Sequence, residues 1–320
     1  MVARGSSAGL PRAHRYGGPP VDLSGAWRAT PADDDLRRTF ADVDHDDGAW
    51  ATVSVPGHWR HEPALAGSDG PILHRRRFEH DAPAPGTRAW LRFDGIFYQA
   101  DVWLDGDYVG DTEGYFPGHT FEVTEALTAR REHVLAVEVA CSPETDRTAK
   151  HNLTGTFQHS DALDPAWNPG GIWRPVTVET TGPVRIRRLS VVTAGASEEQ
   201  ATLRCRAHLD AASATTVELR TEVGADALHL ESTPVAAGDN FIEWTVAVEQ
   251  PRLWWPRALG DQPLYDLTVE ARVEGVVSHR RHLRTGLRSV QLRYWVLSFN
   301  GERLFVKGAL QGPARPALAE

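Results

Sequence analysis

Leu91-Arg92-Phe93-Asp94-Gly95 and, shortly after it, Ala100-Asp101-Val102-Trp103-Leu104-Asp105-Gly106-Asp107-Tyr108-Val109-Gly110 decide the fold class of this 320-residue chain. Apolar and polar residues alternate in both, with the period of two that a half-buried strand requires. Asp105-Gly106 is the dipeptide that accommodates positive φ in a tight two-residue turn, so residues 100–110 read as a hairpin. Working outward, segments 21–27, 50–55, 133–140 and 173–180 show the same short alternation, each bounded by Gly, Pro or Asp. Pro56-Gly57, for example, ends the second of them. Helical periodicity is nearly absent, and residues 32–40 and 125–130 read as no more than short turns. The pattern is that of an all-β sandwich or barrel.

Thr181-Gly182-Pro183 reads as a linker, after which a second series begins at 184–192. It continues through 201–209, 216–223, 241–248 and 264–273 and closes at 279–285. Strands at that spacing suggest an immunoglobulin-like sandwich, although the Cys…Trp…Cys core of antibody domains is missing. The final stretch differs. Residues 289–297 and 303–306 flank Asn300-Gly301, a hairpin signal, and Lys307-Gly308-Ala309 leads into a tail rich in Pro and Ala. A hairpin followed by one short strand is too small to be a domain; it reads as the opening of one.

Hydrophobic residues make up 41% of the chain and charged residues 24%, as expected of a globular protein with a real core. The net charge of −9 argues against nucleic acid and anionic membrane as partners, since both need a basic face. Eleven Trp suit cores, interfaces and sugar platforms, where a flat apolar ring must also offer a donor. Cys141 and Cys205 form no CxxC pair; a single bridge between them stays open but nothing demands it, and Cys141 reads as a buried structural thiol. Residues 1–20 carry no apolar run and read as a disordered leader, so the cytoplasm is the expected compartment. Nothing approaches the length of a membrane-spanning helix.

Four stretches together resemble glycoside hydrolase family 2. The first is 91–110 as quoted above, followed by Glu113-Gly114-Tyr115-Phe116. The second is Trp167-Asn168-Pro169-Gly170-Gly171-Ile172-Trp173-Arg174-Pro175-Val176. The third is Pro251-Arg252-Leu253-Trp254-Trp255-Pro256 with Leu259-Gly260-Asp261-Gln262-Pro263-Leu264-Tyr265. The fourth is Gly286-Leu287-Arg288-Ser289-Val290 with residues 299–309. Their order and spacing match the family over most of the chain. The resemblance implies a sugar-binding, galactose-binding-like jelly roll over 21–182 and an immunoglobulin-like β-sandwich over 183–285. Residues 286–320 would then be the hairpin and first-strand stub of a (β/α)8 catalytic barrel. The Leu-Trp-Trp-Pro stretch leans toward β-mannosidase-like and exo-β-glucosaminidase-like members. Leu310 stands where the family usually carries an Asn, and the sequence reaches Glu320 where a barrel of about 250 residues would follow.

Retaining glycosidases use two carboxylates about 5 Å apart, one as acid/base and one as nucleophile. In this family, by resemblance, both are Glu on late barrel strands and the acid/base follows an Asn. The four Asn here, Asn152, Asn168, Asn240 and Asn300, are followed by Leu, Pro, Phe and Gly, so the sequence holds no Asn-Glu pair. No catalytic residue is therefore assigned, and the chain reads as the non-catalytic front of a β-glycosidase, inactive alone. Asp33-Asp34-Asp35 and Asp44-His45-Asp46-Asp47 read as solvated loops. His58 and His61 have a spacing that suits a helix but sit in a loop context, so no metal and no cofactor is expected. Sugar sites pair an aromatic face with carboxylate or amide hydrogen bonds. Residues 159–168 fit that chemistry, and the resemblance brings the matching loop to the active-site mouth. This makes His159, Asp164, Trp167 and Asn168 the candidate substrate-binding residues. Trp167 packed against Trp173, over a turn made by Asn168-Pro169-Gly170-Gly171, is the competing reading. Trp27 and Trp103 read as core, and Trp254 and Trp255 as packed between the second sandwich and a barrel. Two other functions stay open: a stand-alone carbohydrate-binding protein, and an assembly module docking a separate barrel or a second copy through an apolar face.

Overall fold

The structure, a computed structural model, describes residues 19–141 and 170–309, which divide into two compact units, 19–180 and 181–309. In the first unit the strands are β1 (Val21–Asp22), β2 (Gly25–Pro31), β3 (Ala51–Val55), β4 (Ile72–Glu79), β5 (Arg88–Phe93), β6 (Gln99–Leu104), β7 (Asp107–Glu113), β8 (His119–Glu122), β9 (Glu132–Ala140) and β10 (Val176–Thr181). They form a six-stranded sheet, β3-β2-β4-β9-β6-β7, and a four-stranded sheet, β1-β10-β5-β8. Asp105 and Gly106 adopt φ of 55° and 93°, and Leu104 pairs with Asp107, the two-residue hairpin expected of Asp-Gly. Segment 21–27, read as one strand, is broken at Leu23-Ser24. Ser24 turns back to the Asp22 carboxylate at 2.9 Å, and Gly25 at φ 111° restarts the chain as β2.

Alternation sends Trp27, Leu91, Phe93, Val102, Leu135 and Val137 into one core between the sheets. Strand β9 is buried on both faces because residues 32–50 fold over its outer side, where Phe40 packs with Leu73 and Ala136. Trp27 is core as expected, its indole donating to the Leu23 carbonyl at 2.8 Å. Trp103 is half-buried on the outer face, its ring edge-on to Phe40 at 5.1 Å.

The central strand β4, Ile-Leu-His-Arg-Arg-Arg-Phe-Glu, was not among the segments expected from alternation. Its three arginines are held by specific partners. Arg75, with no side-chain exposure, meets the Asp47 carboxylate at 2.8 Å and donates to the carbonyls of Phe40, Asp42 and His45. Arg76 donates to the Ala26 carbonyl at 2.6 Å, and Arg77 to the carbonyls of Val43 and His45. Asp47 is thus a buried-face anchor, a correction to the solvated-loop reading of 44–47. Asp33 fits that reading, its carboxylate accepting the backbone N–H groups of Asp35 and Leu36.

The second unit packs β11 (Val184–Ala196), β12 (Gln200–Ala211) and β15 (Gly238–Glu249) against β13 (Thr215–Val223), β14 (Ala227–Val235), β16 (Tyr265–Val273) and β17 (Val276–Thr285), in the orders β11-β12-β15 and β14-β13-β16-β17. Three strands facing four is the immunoglobulin-like arrangement. In place of a disulfide its core carries the free thiol of Cys205 directly across from Trp244. Burial pushes that thiol up to about 12, and the Trp244 indole donates to Thr221 Oγ1 at 3.0 Å.

The stretch read as one hairpin around Asn300 is a three-stranded meander of β18 (Val290–Arg293), β19 (Val296–Phe299) and β20 (Glu302–Leu304). Tyr294 and Trp295, at φ 50° and 65°, make an additional turn inside segment 289–297. Trp254 and Trp255 pack within their own unit. A Cβ on Gly286 would lie 2.7 Å from Trp254, Gly260 sits against Trp255, and Arg288 covers the Trp254 ring at 4.9 Å.

Candidate functional site

The predicted sugar contacts His159, Asp164, Trp167 and Asn168 lie outside the described residues, as does the Trp167–Trp173 packing that competes with them. The segment that follows them, 170–175, is described, and backbone bonds pin it on both sides. Trp59 N–H donates to the Gly170 carbonyl at 3.1 Å and Gly57 N–H to that of Ile172 at 2.9 Å, while Phe97 and Gly171 exchange bonds of 2.9 and 3.0 Å. A Cβ at Gly170 would lie 1.8 Å from the Trp59 ring. Gly171, at φ 147°, presses to within 2.6 Å of the Gly57 carbonyl by the same measure. Gly170 and Gly171 have a backbone and packing role here, while Asn168 and Pro169, the first half of the turn read from the sequence, lie outside the described residues.

Beside this segment is an aromatic group that the sequence reading passed over as a platform. The Tyr115 ring lies 4.4 Å from Phe97, 4.4 Å from Phe116 and 4.7 Å from Trp173. The Trp173 indole donates to the Tyr115 carbonyl at 3.0 Å, and the Arg174 guanidinium stacks on Trp173 at 4.3 Å. Tyr115 is buried, and burial pushes its hydroxyl above the ordinary tyrosine range. Phe116 remains 55% exposed. An exposed ring backed by rings it cannot displace offers an apolar C–H face of a sugar a fixed surface. The signal was present in Glu113-Gly114-Tyr115-Phe116, where two aromatics follow a glycine at the end of a strand.

The charged residues of the first unit are mostly committed to structure. Asp105 accepts the Val134 N–H at 2.7 Å and faces His133 Nδ1 at 2.7 Å. Glu138 takes Arg37 at 2.7 Å, and Glu122 takes Arg88 at 2.7 Å. The His58 and His61 rings sit 5.8 Å apart at a single 3-10 turn, Trp59–His61. Among the described residues no three His, Cys, Asp or Glu side chains come together as a metal cage. His74, enclosed in the core, is lowered to about 4 by burial. Cys141 is a buried thiol, as expected, and Cys205 is a free buried thiol too. No helix of the described residues is long and apolar enough to cross a membrane.

A jelly roll followed by an immunoglobulin-like sandwich is the class of paired β-module that the geometry defines. Residues 69–181 match the family model described as the glycosyl hydrolase 2 galactose-binding domain-like domain, and residues 184–288 match that of glycosyl hydrolases family 2. The chain belongs to glycoside hydrolase family 2. It is 28% identical over 279 residues to the exo-β-D-glucosaminidase of Hypocrea virens, a match covering 81% of this chain and 28% of that protein. It is 30% identical over 248 residues to the exo-β-D-glucosaminidase of Streptomyces avermitilis, covering 71% and 26%. With β-mannosidase B of Aspergillus flavus it shares 28% over 276 residues, covering 77% and 32%. In fold it resembles the β-D-mannosidase of Dictyoglomus thermophilum, with a TM-score of 0.73 at 19% identity, covering 93% of this chain and 41% of that one. The match spans less than a third of the length of these curated relatives.

Proposed function

We propose that the chain is the carbohydrate-recognising front of a β-glycosidase acting on β-mannosides or β-glucosaminides, and that it hydrolyses nothing alone. The observation that carries this reading is the ordered match to the two non-barrel family domains in a sequence without an Asn-Glu pair. Cleavage with retention needs a second carboxylate about 5 Å from the first. The chain's own part is to bind and orient: the exposed Phe116 ring and the Trp173–Arg174 stack line the end of the jelly roll that the 170–175 segment crosses. In this reading His159, Asp164, Trp167 and Asn168 supply hydrogen bonds and a further ring to the same sugar. Two buried free thiols suit a reducing compartment, which supports the cytoplasm.

The meander supports a docking role for a catalytic barrel, in cis or as a separate chain. Tyr294 is 97% exposed, Trp295 94% and Phe305 82%, and apolar patches of that kind mark interaction surfaces. The test is turnover of aryl β-mannoside, β-galactoside and β-glucosaminide by the purified chain, with and without the barrel module of an exo-β-glucosaminidase. Expected are no product from the chain alone and a lower KM for the barrel when the chain is present. Product formation by the chain alone, free of contaminating hydrolase, overturns the reading.

A further inference from the structure

The two larger sheets of the second unit leave four strands without an outer neighbour, β11, β15, β14 and β17. A free edge is a row of unpaired N–H and C=O groups, and proteins blunt it with bulges, charge or proline. Three of these edges are blunted. β11 breaks register twice against β12, and β17 once against β16 while carrying Arg280, Arg281 and Arg284. β15 carries Asp239, Glu243 and Glu249. β14 differs: it pairs with β13 through nine unbroken residue pairs. It has Glu231 as its one carboxylate, no Lys or Arg, and Leu228 and Leu230 more than half exposed.

Which backbone groups β14 turns outward follows from its hairpin. The Gly224 N–H, one residue past the end of β13, reaches the Asp266 carbonyl of β16 at 2.7 Å. Successive residues of a strand point their backbone groups to opposite sides, so Val223 turns its own toward β14, where its partner is Ala227. The odd-numbered residues of β14 therefore bond to β13, and Leu228, Leu230, Ser232 and Pro234 present their backbone to the free side. Pro234 agrees with this, since a residue without an N–H is tolerated where no ladder bond is needed. It ends the row of outward donors at Ser232. His229 Nε2 is enclosed with no hydrogen-bond partner among the described residues, 3.5 Å from the Glu231 carboxylate of its own strand.

We propose that β14 is a self-association edge, on which a second copy of this chain adds its own β14 antiparallel across a two-fold axis at Leu230. Facing residues must share a face of the joint sheet, so a two-fold perpendicular to it falls on a residue. An axis at Glu231 sets that carboxylate against its own copy and brings Pro234 into the ladder. An axis at His229 opposes two imidazoles and pairs only residues 227–231. Leu230 gives the longest overlap that keeps Pro234 out, residues 227–233. It also sets each His229 across from the second copy's Glu231, an opposite-charge pair made twice. Leu228 and Leu230 meet their counterparts diagonally on the outer face, and the outward groups of Leu228, Leu230 and Ser232 form the new ladder, as in strand addition. A strip roughly 24 Å long and about 10 Å wide lies below the roughly 800 Å² per partner of a standard interface, so the dimer is reversible. Each copy has one such edge, and the contact closes on itself. Pairing at β14 goes beyond carbohydrate recognition by the first unit and is independent of it.

The test is sedimentation velocity on the whole purified chain, from about 1 to about 200 μM. A monomer converts to a dimer with a Kd on the order of 30 μM and grows no further. Leu230→Lys, which brings two ammonium groups together at the axis, raises that Kd at least about tenfold without moving the melting temperature. His229→Glu opposes carboxylates across the pair and does the same; combined with Glu231→Arg, it returns the Kd to within about threefold of the original. The charge-swapped pair keeps the test decisive if Leu230→Lys unfolds. A monomer at every concentration, growth past the dimer, or a double variant that recovers nothing overturns the proposal. So does a dimer that survives Leu230→Lys and is lost in Trp295→Ala, which would place the contact on the meander.

Discussion

Arg75 and Asp47 meet at 2.8 Å with none of the arginine side chain exposed, so the pair fastens the 40–47 segment onto the outer face of the central strand. The guanidinium also satisfies the carbonyls of Phe40, Asp42 and His45. Arg75→Met removes the cation and leaves the Asp47 carboxylate and the Phe40 carbonyl without this donor, while the His45 carbonyl keeps Arg77 and the Asp42 carbonyl keeps the His45 N–H. Breaking a buried pair from one side costs about 3–5 kcal/mol. For a unit of this size that lowers its melting temperature by about 10 °C. Arg75→Met combined with Asp47→Asn recovers part of the loss, since the unpaired charge is gone. Calorimetric scans of these two variants and of Asp47→Asn alone decide it; additive losses would show that the two side chains are not coupled.

His74, one residue earlier and on the opposite face, is buried and neutral. Burial lowers its pKa to about 4, against the partial opposition of backbone bonds to Ile72 and Val137. In the unfolded chain it titrates near 6.5. Between those values the unfolded state holds a proton that the folded state does not, so stability falls as pH drops from about 6.5 to about 4. The full loss is ~3 kcal/mol. His119 is lowered by burial as well and adds in the same direction. Urea midpoints measured from pH 7 to pH 4 should decline, and the decline should flatten in His74→Gln. An unchanged slope in that variant would place the acid sensitivity elsewhere.

Which strands were legible follows from what holds each in place. The β6–β7 hairpin was readable because Asp105-Gly106 fixes its turn locally. Strand β4 was not, because Arg75-Arg76-Arg77 looks like a solvated face until residues 40–47 supply the partners, and no window of sequence contains both. Strand β14 escaped for another reason. It is an edge strand with Leu228 and Leu230 exposed and Pro234 in its pairing, and Pro is tolerated only where one side needs no donor. The meander was read as one hairpin because Asn300-Gly301 announces itself, whereas Tyr294-Trp295 has no turn chemistry and adopts positive φ all the same. That β7 and β8, edges of two different sheets, come side by side is likewise a relation no local pattern encodes.

Gly170 gives a direct test of the close backbone approach at Gly170-Gly171. A Cβ there would lie 1.8 Å from the ring of Trp59, which is itself buried and bonded through its indole to the Ser68 carbonyl at 3.1 Å. Gly170→Ala therefore displaces either Trp59 or the 170–175 segment. Overpacking of this kind costs about 1–3 kcal/mol. The cost should shrink in Gly170→Ala combined with Trp59→Leu, which makes room. If Gly170→Ala alone is neutral by thermal scan, the close approach does not hold in solution.

Asn300 ties the meander to the Leu-Trp-Trp-Pro stretch. Its Oδ1 accepts the Ser289 N–H at 2.8 Å and its Nδ2 donates to the Trp254 carbonyl at 3.1 Å, while its backbone holds φ 48°. Asn300→Gly keeps the turn and loses both side-chain bonds; Asn300→Asp keeps the acceptor and loses the donor. At about 1 kcal/mol per bond, the glycine variant loses roughly twice as much local stability as the aspartate. The loss should be confined to β18–β20, because those strands bury little apolar surface of their own. Hydrogen exchange at residues 290–304 reads it directly, and binding of a hydrophobic dye should rise as Phe299 loosens from the Trp254 ring, 6.2 Å away. Equal protection in both variants would show that the meander is held by its own pairing alone, with the Trp254 contact incidental.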